Sequence, residues 1–546
     1  MSSTHNQVIK LQKATLQTIK DKIAEHIGEL PSDLRRFQQD YHDATADFSA
    51  ISTRDELTQK ISAANIVLCG DFHTLNQAQR VHLRLLRDQL RMGRKIVLGV
   101  EVIPASEQKN LDKFLSGSMS EKSFLKEIDY KRIWGFPWEH YRPIFDFARK
   151  HKVPMYGLNT TSTRSGAHPT LFARDNFVAK KIASIAKVQM DALFFVTFGD
   201  MHLAPNHIPN KLDKALGREE RKILVIFQNS EALYWKLAQQ RLADKVDVVR
   251  VDERSYCIIG SPPWVKLQSY LDWLENTDRQ LMCGTSYQDS MKANYEEELY
   301  NIACEISVFL GLERYNLDSF DFRSIDDLPH IKDWYPDLAR LVPRNNCLYF
   351  PDRHLIFLTI VDINHAAEGA AELIHHLRSG YGVEDPTTKD SFYRRVMRRA
   401  LAYFGSMLLN HKRKCWYFRD HHLHVEKTRN KRLTAEEAEK RLVSRKVLEH
   451  QRAEDEFIWG MKQRLHLPSV YKADVETGYA ISRAIGYIQG DKFYRGLFQR
   501  VVTGKDMRQL FCNPMEEPGE AMEVYIHWRI VLKQVFKMFT SKDQTF

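Results

Sequence analysis

None of the seven cysteines, Cys69, Cys257, Cys283, Cys304, Cys347, Cys415 and Cys512, belongs to a Cys-x-x-Cys pair. That argues against a zinc knuckle or a thioredoxin-like redox motif. Their odd number and wide scatter fit reduced thiols in a cytoplasm. Cys69, at the end of an apolar run, reads as a small core residue. Long apolar runs are missing too. No stretch reaches the roughly 18 residues that a membrane span needs, and candidates such as Leu355 to Ile363 read as buried strands or helices. The opening Met1-Ser2-Ser3-Thr4-His5-Asn6-Gln7 has no apolar signal core and no lipobox-like cysteine. Export is therefore not indicated, and a cytoplasmic location is the expectation. There is no clear internal repeat and no low-complexity segment.

What is present is the balance of a soluble globular protein, 43% hydrophobic and 27% charged. A length of 546 residues implies about two or three domains, each able to bury a core. The net charge of +10 permits an anionic partner without requiring one.

Residues 1–45 carry apolar side chains at helical spacing (Ile9, Leu11, Leu16, Ile19, Ile23, Ile27) and read as an N-terminal helical segment. From about residue 60, short apolar runs alternate with amphipathic stretches. The expected strands are Ile66–Cys69, Ile96–Val102, Met155–Leu158, Ala192–Phe198, Ile223–Phe227 and Val246–Val251. Between them lie expected helices such as Gln77–Met92, Tyr141–His151 and Asn176–Val188. This alternation predicts an α/β domain over 46–262, with a mainly parallel central sheet flanked by helices. In such sheets ligands sit outside the carboxyl ends of the strands. Residues 263–290 read as a junction, because Ser261-Pro262-Pro263-Trp264 interrupts regular structure. An amphipathic helix is expected around Val265–Trp273 within it. Residues 291–546 read as a mainly α-helical second domain, with a strand-like stretch at Leu348–Val361.

Four expected strands end in polar residues: Gly70-Asp71-Phe72-His73, Leu98-Gly99-Val100-Glu101, Gly157-Leu158-Asn159 and Gly199-Asp200-Met201-His202. Each glycine permits a tight turn as the strand leaves the sheet. Carboxylates beside histidines at such an edge can hold a divalent metal or orient an imidazole as a general base. A single Gly-x-x-His is a weak signal, and so is a Glu ending a strand. Two such motifs with Glu101 between them point to a site.

In these blocks, residues about 62–230 resemble the ChaN-like haem-binding uptake family, in the superfamily that includes TraB, Tiki and erythromycin esterase proteins. The resemblance also rests on Trp134-Gly135-Phe136-Pro137-Trp138-Glu139-His140-Tyr141-Arg142-Pro143-Ile144, on Arg174-Asp175 opening a helix, and on Ile208-Pro209. It implies haem binding and iron uptake. For superfamily members that are metal-dependent proteases or esterases, it implies chemistry at His73, Glu101 and His202, with Asp71 where a Glu is common. Trp134, Trp138 and Tyr141 offer faces for a macrocycle, and Arg142 a cation for a propionate. Equally, Trp138 and Tyr141, at i and i+3, can anchor a helix to the sheet. Asn159 and Arg174 complete the candidate cofactor-binding set, and Asp175 suits a helix N-terminus.

In the second half, His365, Glu368, Glu372 and His375 fall on one helical face. Glu372-x-x-His375 has the spacing of helical carboxylate–histidine metal ligands. A helix-packing stripe with small alanines is the other reading. Arg394, Arg395, Arg398 and Arg399, the tract His411-Lys412-Arg413-Lys414, and His421, His422 and His424 suggest phosphate, RNA or lipid head-group contact, or a solvated basic face. No nucleic-acid motif accompanies them, so no specific nucleic acid is expected. Glycines between Gly478 and Gly496 fit close helix packing.

Three readings stand at this point. The first is a binding protein for haem or a related iron ligand. The second is a metal-dependent hydrolase of peptidase or esterase type using His73, Glu101 and His202. The third is a non-catalytic interaction protein acting through its helical half. A haem or other small-molecule partner is expected, and a homo-oligomer is compatible with each.

Overall fold

The computed structural model describes residues 4–160, 170–217, 221–282, 287–314, 316–328, 341, 345–382, 388–465, 470, 473–533 and 535. The chain forms two compact units, one built on Thr18–Asp278 and the other on Met1–Gln17 with Arg279–Phe539. No helix among the described residues is long and apolar enough to cross a membrane.

The first unit is an α/β fold. Its strands are β1 (Ala50–Ser52), β2 (Ile66–Asp71), β3 (Ile96–Pro104), β4 (Met155–Asn159), β5 (Leu193–Gly199), β6 (Ile223–Gln228), β7 (Val248–Arg250) and β8 (Ser255–Ile258). They form one sheet in the order β1-β7-β8-β6-β2-β5-β3-β4. All pairs from β8 to β4 are parallel, and β7 and β1 add an antiparallel edge. Every residue of β2, β3, β5 and β6 is buried. Strands covered by helices on both faces read as such continuous apolar runs. Leu57, Leu85, Leu98, Phe124, Phe145 and Phe195 are among the side chains of the main core.

The expected sheet is present, with β1 and β8 in addition; at three and four residues they leave little periodicity to read. The Leu171–Val188 helix begins five residues before the expected start because the Thr170 hydroxyl accepts from Ala173 N. Arg174 and Asp175 consequently lie in its second turn and do not open it. The expected junction is largely a helix, Pro263–Met282. Proline is tolerated in a first helical turn, so Pro263 starts the element it was expected to interrupt. Trp264 anchors the helix, fully buried against Tyr234 and Trp235. Residues 283–286 of the expected junction, and Cys283 with them, lie outside the described residues.

The second unit is mostly helical. Its helices include Tyr287–Leu310, Ile363–Ser379, Lys389–Leu409, Ala435–Ile458 and Val475–Phe498. The strand-like stretch resolves into β10 (Cys347–Phe350) and β11 (Leu355–Leu358), joined by β9 (Asp321–Ser324) in a sheet ordered β10-β11-β9. The Lys389–Leu409 helix is buried almost all round. A Cβ at Gly486 would stand 2.6 Å from Arg399 Cβ, so glycine lets the two helices approach closely.

The stripe expected as a second metal site is internal and its carboxylates are taken by cations. Glu368 pairs with Arg413 and accepts from Tyr487 Oη at 2.7 Å. Glu372 pairs with Arg399 at 2.7 Å. His375 Nε2 meets Asn513 O at 3.0 Å, and burial depresses its pKa to about 3. His365 lies between Asn346 and Asp362. Two guanidiniums thus balance the charge of the two buried carboxylates. The expected solvated basic face is in part internal, although Lys414 and His422 are exposed. Arg395, Arg399, His411 and Lys412 are buried, and Arg394 donates to the Met515 and Glu516 carbonyls. Arg394, Arg399 and Arg413 turn inward because carbonyls or buried carboxylates partner them.

Candidate functional site

Strand order assembles the site. β2, β5, β3 and β4 are consecutive neighbours and run parallel, so their carboxyl ends lie side by side. Asp71 ends β2 in register with Gly199, which ends β5. His73 and His202 follow those ends, and Asn159 ends β4. Glu101 was expected at a strand end. β3 instead runs on to Pro104, with a register irregularity against β4 between Val100 and Pro104, so Glu101 sits within it.

His73 is fixed by Asp71. Its Nδ1 lies 2.9 Å from Asp71 Oδ2, which also accepts from Tyr141 Oη at 3.0 Å. Asp71 Oδ1 accepts from Gln79 Nε2 at 2.6 Å. Burial works against the Asp71 charge, but the His73 and Tyr141 hydrogen bonds outweigh it and the pKa falls below the usual carboxylate value. Burial likewise opposes charge on His73, yet Asp71 and Glu101 raise its pKa above the ordinary imidazole value. An ionised Asp71 can only accept, so Nδ1 carries a proton and Nε2 is left for a ligand in the neutral ring. Nε2 stands 3.8 Å from Glu101 Oε2, and the side chain keeps 23% of its exposure.

His202 repeats this arrangement. Its Nδ1 lies 2.5 Å from Asp175 Oδ1, while Asp175 Oδ2 accepts from Lys211 Nζ at 3.1 Å and faces His207 Nδ1 at 3.3 Å. His207 Nε2 reaches Asp40 at 2.9 Å. Burial opposes the Asp175 charge, and the hydrogen bonds from His202 and His207 with the Lys211 charge overcome it, bringing the pKa down to about 2. Asp175 was read as a helix-terminus charge; as a fully buried anchor of His202 it has a different function.

Glu101 has both oxygens engaged. Oε1 accepts from Arg174 at 2.7 Å and Oε2 from the Gly199 amide at 2.7 Å. Arg174 therefore reaches the acidic residue of the site, as its place in the sequence allowed. The glycines serve space and not the expected turns: Gly70, Gly157 and Gly199 all lack positive φ. A Cβ at Gly70 would overlap Asp200 Oδ1, and one at Gly157 would stand 2.7 Å from Pro104 O. A Cβ at Gly199 would lie 3.5 Å from each of His73 Nε2, Glu101 Oε2 and His202 Cδ2. The three expected site residues thus meet around Gly199. Asp200, beside them, pairs with Lys266 Nζ at 3.0 Å.

An aromatic wall adjoins His73. Its ring lies 4.6 Å from Trp134 and 4.8 Å from Phe136, and Phe136 stacks on Trp273, which stacks on Tyr270. Trp273 and Tyr270 were obscured by the expected junction. Trp138 belongs elsewhere: it is buried among Phe114, Phe124, Tyr130 and Phe145 in the main core. It anchors its helix, and no face is free for a macrocycle. Tyr141 is buried and holds Asp71. Arg142 pairs with Glu121 at 3.0 Å on the surface instead of joining the cluster. Asn159 is buried and its Oδ1 accepts from Thr160 N at 2.8 Å. Among the described residues no three His, Cys, Asp or Glu side chains are disposed to hold a metal ion.

Residues 57–166 match the family described as haem-binding uptake, Tiki superfamily, ChaN. A solved structure described as cofacial heme binding to ChaN of Campylobacter jejuni is similar at 14% identity, over 32% of this chain and 86% of its own, with a TM-score of 0.27. No curated protein matches. The matched segment holds Gly70–His73, Glu101, Trp134–Ile144 and Gly157–Asn159, and ends before Arg174 and His202. The first half of the candidate site therefore lies in sequence that matches the ChaN family of the Tiki superfamily.

Proposed function

We propose that the α/β unit binds haem at the edge formed by β2, β5 and β3, with His73 as the iron ligand of the chain. The observation that carries this reading is the His73 imidazole, held at Nδ1 by Asp71 and half-open beside Trp134 and Phe136. A histidine that ligates haem iron must offer a neutral nitrogen in fixed orientation, and the macrocycle needs an apolar wall. Asp71, Tyr141 and Gln79 supply the orientation, and the Trp134, Phe136, Trp273 and Tyr270 rings supply the wall. The donor set suits the group.

Haem, when bound, brings a redox-active iron. The residues of the chain do the rest. Asp71 keeps the proton on Nδ1 and makes the ring a stronger donor. Arg174 and the Gly199 amide hold Glu101 in place, 3.8 Å from Nε2. The metal-dependent hydrolase reading has weaker support, because among the described residues no three His, Cys, Asp or Glu side chains are disposed to hold a metal ion.

The test is a hemin titration of the full chain followed by absorbance. A saturable, shifted Soret band with one-to-one stoichiometry, weakened in His73→Ala but retained in Trp459→Ala (an exposed tryptophan of the helical unit), supports the reading. A spectrum identical to that of free hemin overturns it.

A further inference from the structure

Away from the His73 cluster, one concave surface of the α/β unit carries charge of a single sign. It lies between the Leu171–Val188 and Ile208–Leu216 helices and encloses about 830 Å³. Lys180 and Lys187 line it from the first helix and Lys211 and Lys214 from the second, and among the described residues no acidic side chain lines it. Helical spacing explains the alignment. Asn176, Lys180, Ser184 and Lys187 fall at i, i+4, i+8 and i+11, on one face of their helix. Lys180 and Lys214 are exposed and form no ion pair with a described residue.

Lys180 and Lys214 both line the groove, and an anion there would offset the repulsion between them. The ammonium is a compact point charge suited to phosphate, and the Asn176 and Ser184 side chains add neutral donors. The volume falls within the roughly 300–1,000 Å³ typical of small-molecule sites. Lys211 is already placed, its Nζ 3.6 Å over the half-exposed Phe172 ring.

We propose that this groove is a binding site for a small oligophosphate anion, of the size of pyrophosphate or tripolyphosphate. The site touches the candidate haem edge through one residue. Lys211 Nζ lies 3.1 Å from Asp175 Oδ2, and the other oxygen of Asp175 holds His202. An anion that draws Lys211 toward the groove changes the charge against which His202 is set. The binding itself does not depend on haem.

The experiment is calorimetric titration of the full chain, without haem, with sodium tripolyphosphate. Two charge-reversal variants are compared: Lys180→Glu with Lys214→Glu, and Lys122→Glu with Lys126→Glu on an exposed helix outside the groove. Both change net charge equally, and neither alters Lys211 or the His73 cluster. Saturable binding near one-to-one is expected, weakened about a hundredfold by the groove variant, at roughly tenfold per charge-assisted hydrogen bond lost. The control variant should bind within about threefold of the wild type, since exposed charges beyond a Debye length are screened. Circular dichroism establishes that both variants fold. Absence of saturable binding overturns the proposal, and so does an equal loss in both variants. Capture by phosphoinositide vesicles with no response to tripolyphosphate also overturns it, in favour of a membrane surface.

Discussion

Replacing Asp175 with Asn removes the charge that orients His202 and leaves Lys211 with its ammonium against a neutral amide. The size of the effect follows from the carboxyl pKa. Its ordinary value is 3.8 and its folded value about 2. At about 1.4 kcal/mol per unit, that difference stabilises the folded state by about 2 kcal/mol. Lys211 keeps only 10% of its side-chain exposure, so stranding its charge adds to the cost, toward the roughly 3–5 kcal/mol seen when one partner of a buried pair is removed. The folded pKa lies below the unfolded one. The stabilisation is therefore complete above about pH 4 and is lost as pH falls from there toward about 2. The assay is native-state hydrogen exchange read on the Leu193–Gly199 peptide, whose strand leads into His202. That readout avoids treating two units as one unfolding transition. At pH 7 the variant should exchange at least about thirtyfold faster, the rate equivalent of 2 kcal/mol. The gap should narrow below about pH 4 and close as pH approaches 2, because the wild type loses its advantage. A gap below threefold at neutral pH, or one that stays constant down to pH 2.5, refutes the reasoning.

Gly199→Ala has room for its methyl, with neighbours at 3.5 Å, so thermal stability should stay within about 1 kcal/mol of wild type while hemin affinity drops; unchanged affinity would show that ligand does not reach Gly199. Gly70→Ala has no such room beside Asp200 Oδ1 and Ile226 O, and calorimetry should show destabilisation of about 1–3 kcal/mol. Glu368→Ala in the helical unit leaves Arg413 buried beside Tyr403 and Tyr487 without its carboxylate and should cost about 3–5 kcal/mol in denaturant titration. Because Asp71 and Glu101 raise the His73 pKa against the opposing effect of burial, hemin affinity should fall on acidification from a pH above the ordinary imidazole value of 6.5, and Asp71→Asn should move that fall to lower pH.

Much of the architecture was legible in the chain. Residues of β2, β3, β5 and β6 are almost all apolar because both faces of the sheet are covered, and that pattern survives without knowledge of the fold. His73, Glu101 and His202 converge because parallel neighbours place their carboxyl ends together, which the β–α alternation already implies. The partners were harder to read. Asp175 reaches His202 from a helix whose start depends on the Thr170 cap, and Tyr141 reaches Asp71 across 70 positions. Neither contact leaves a periodic trace. Trp138 left two readings open, a ligand face or a helix anchor, and helix phase turns it into the core. In the helical unit, the composition of the His365–His375 stripe suggested ligands, and only the arrival of Arg399 and Arg413 from other segments identifies it as buried ion pairing.

The proposed site depends above all on His73 as the ligand of haem iron. Low-temperature electron paramagnetic resonance of the ferric complex tests it most directly, comparing wild type, His73→Ala, and His73→Ala with added imidazole. A histidine-ligated signal in the wild type, its loss in the variant and its return with imidazole are expected. Indistinguishable signals from the wild type and the variant would contradict it.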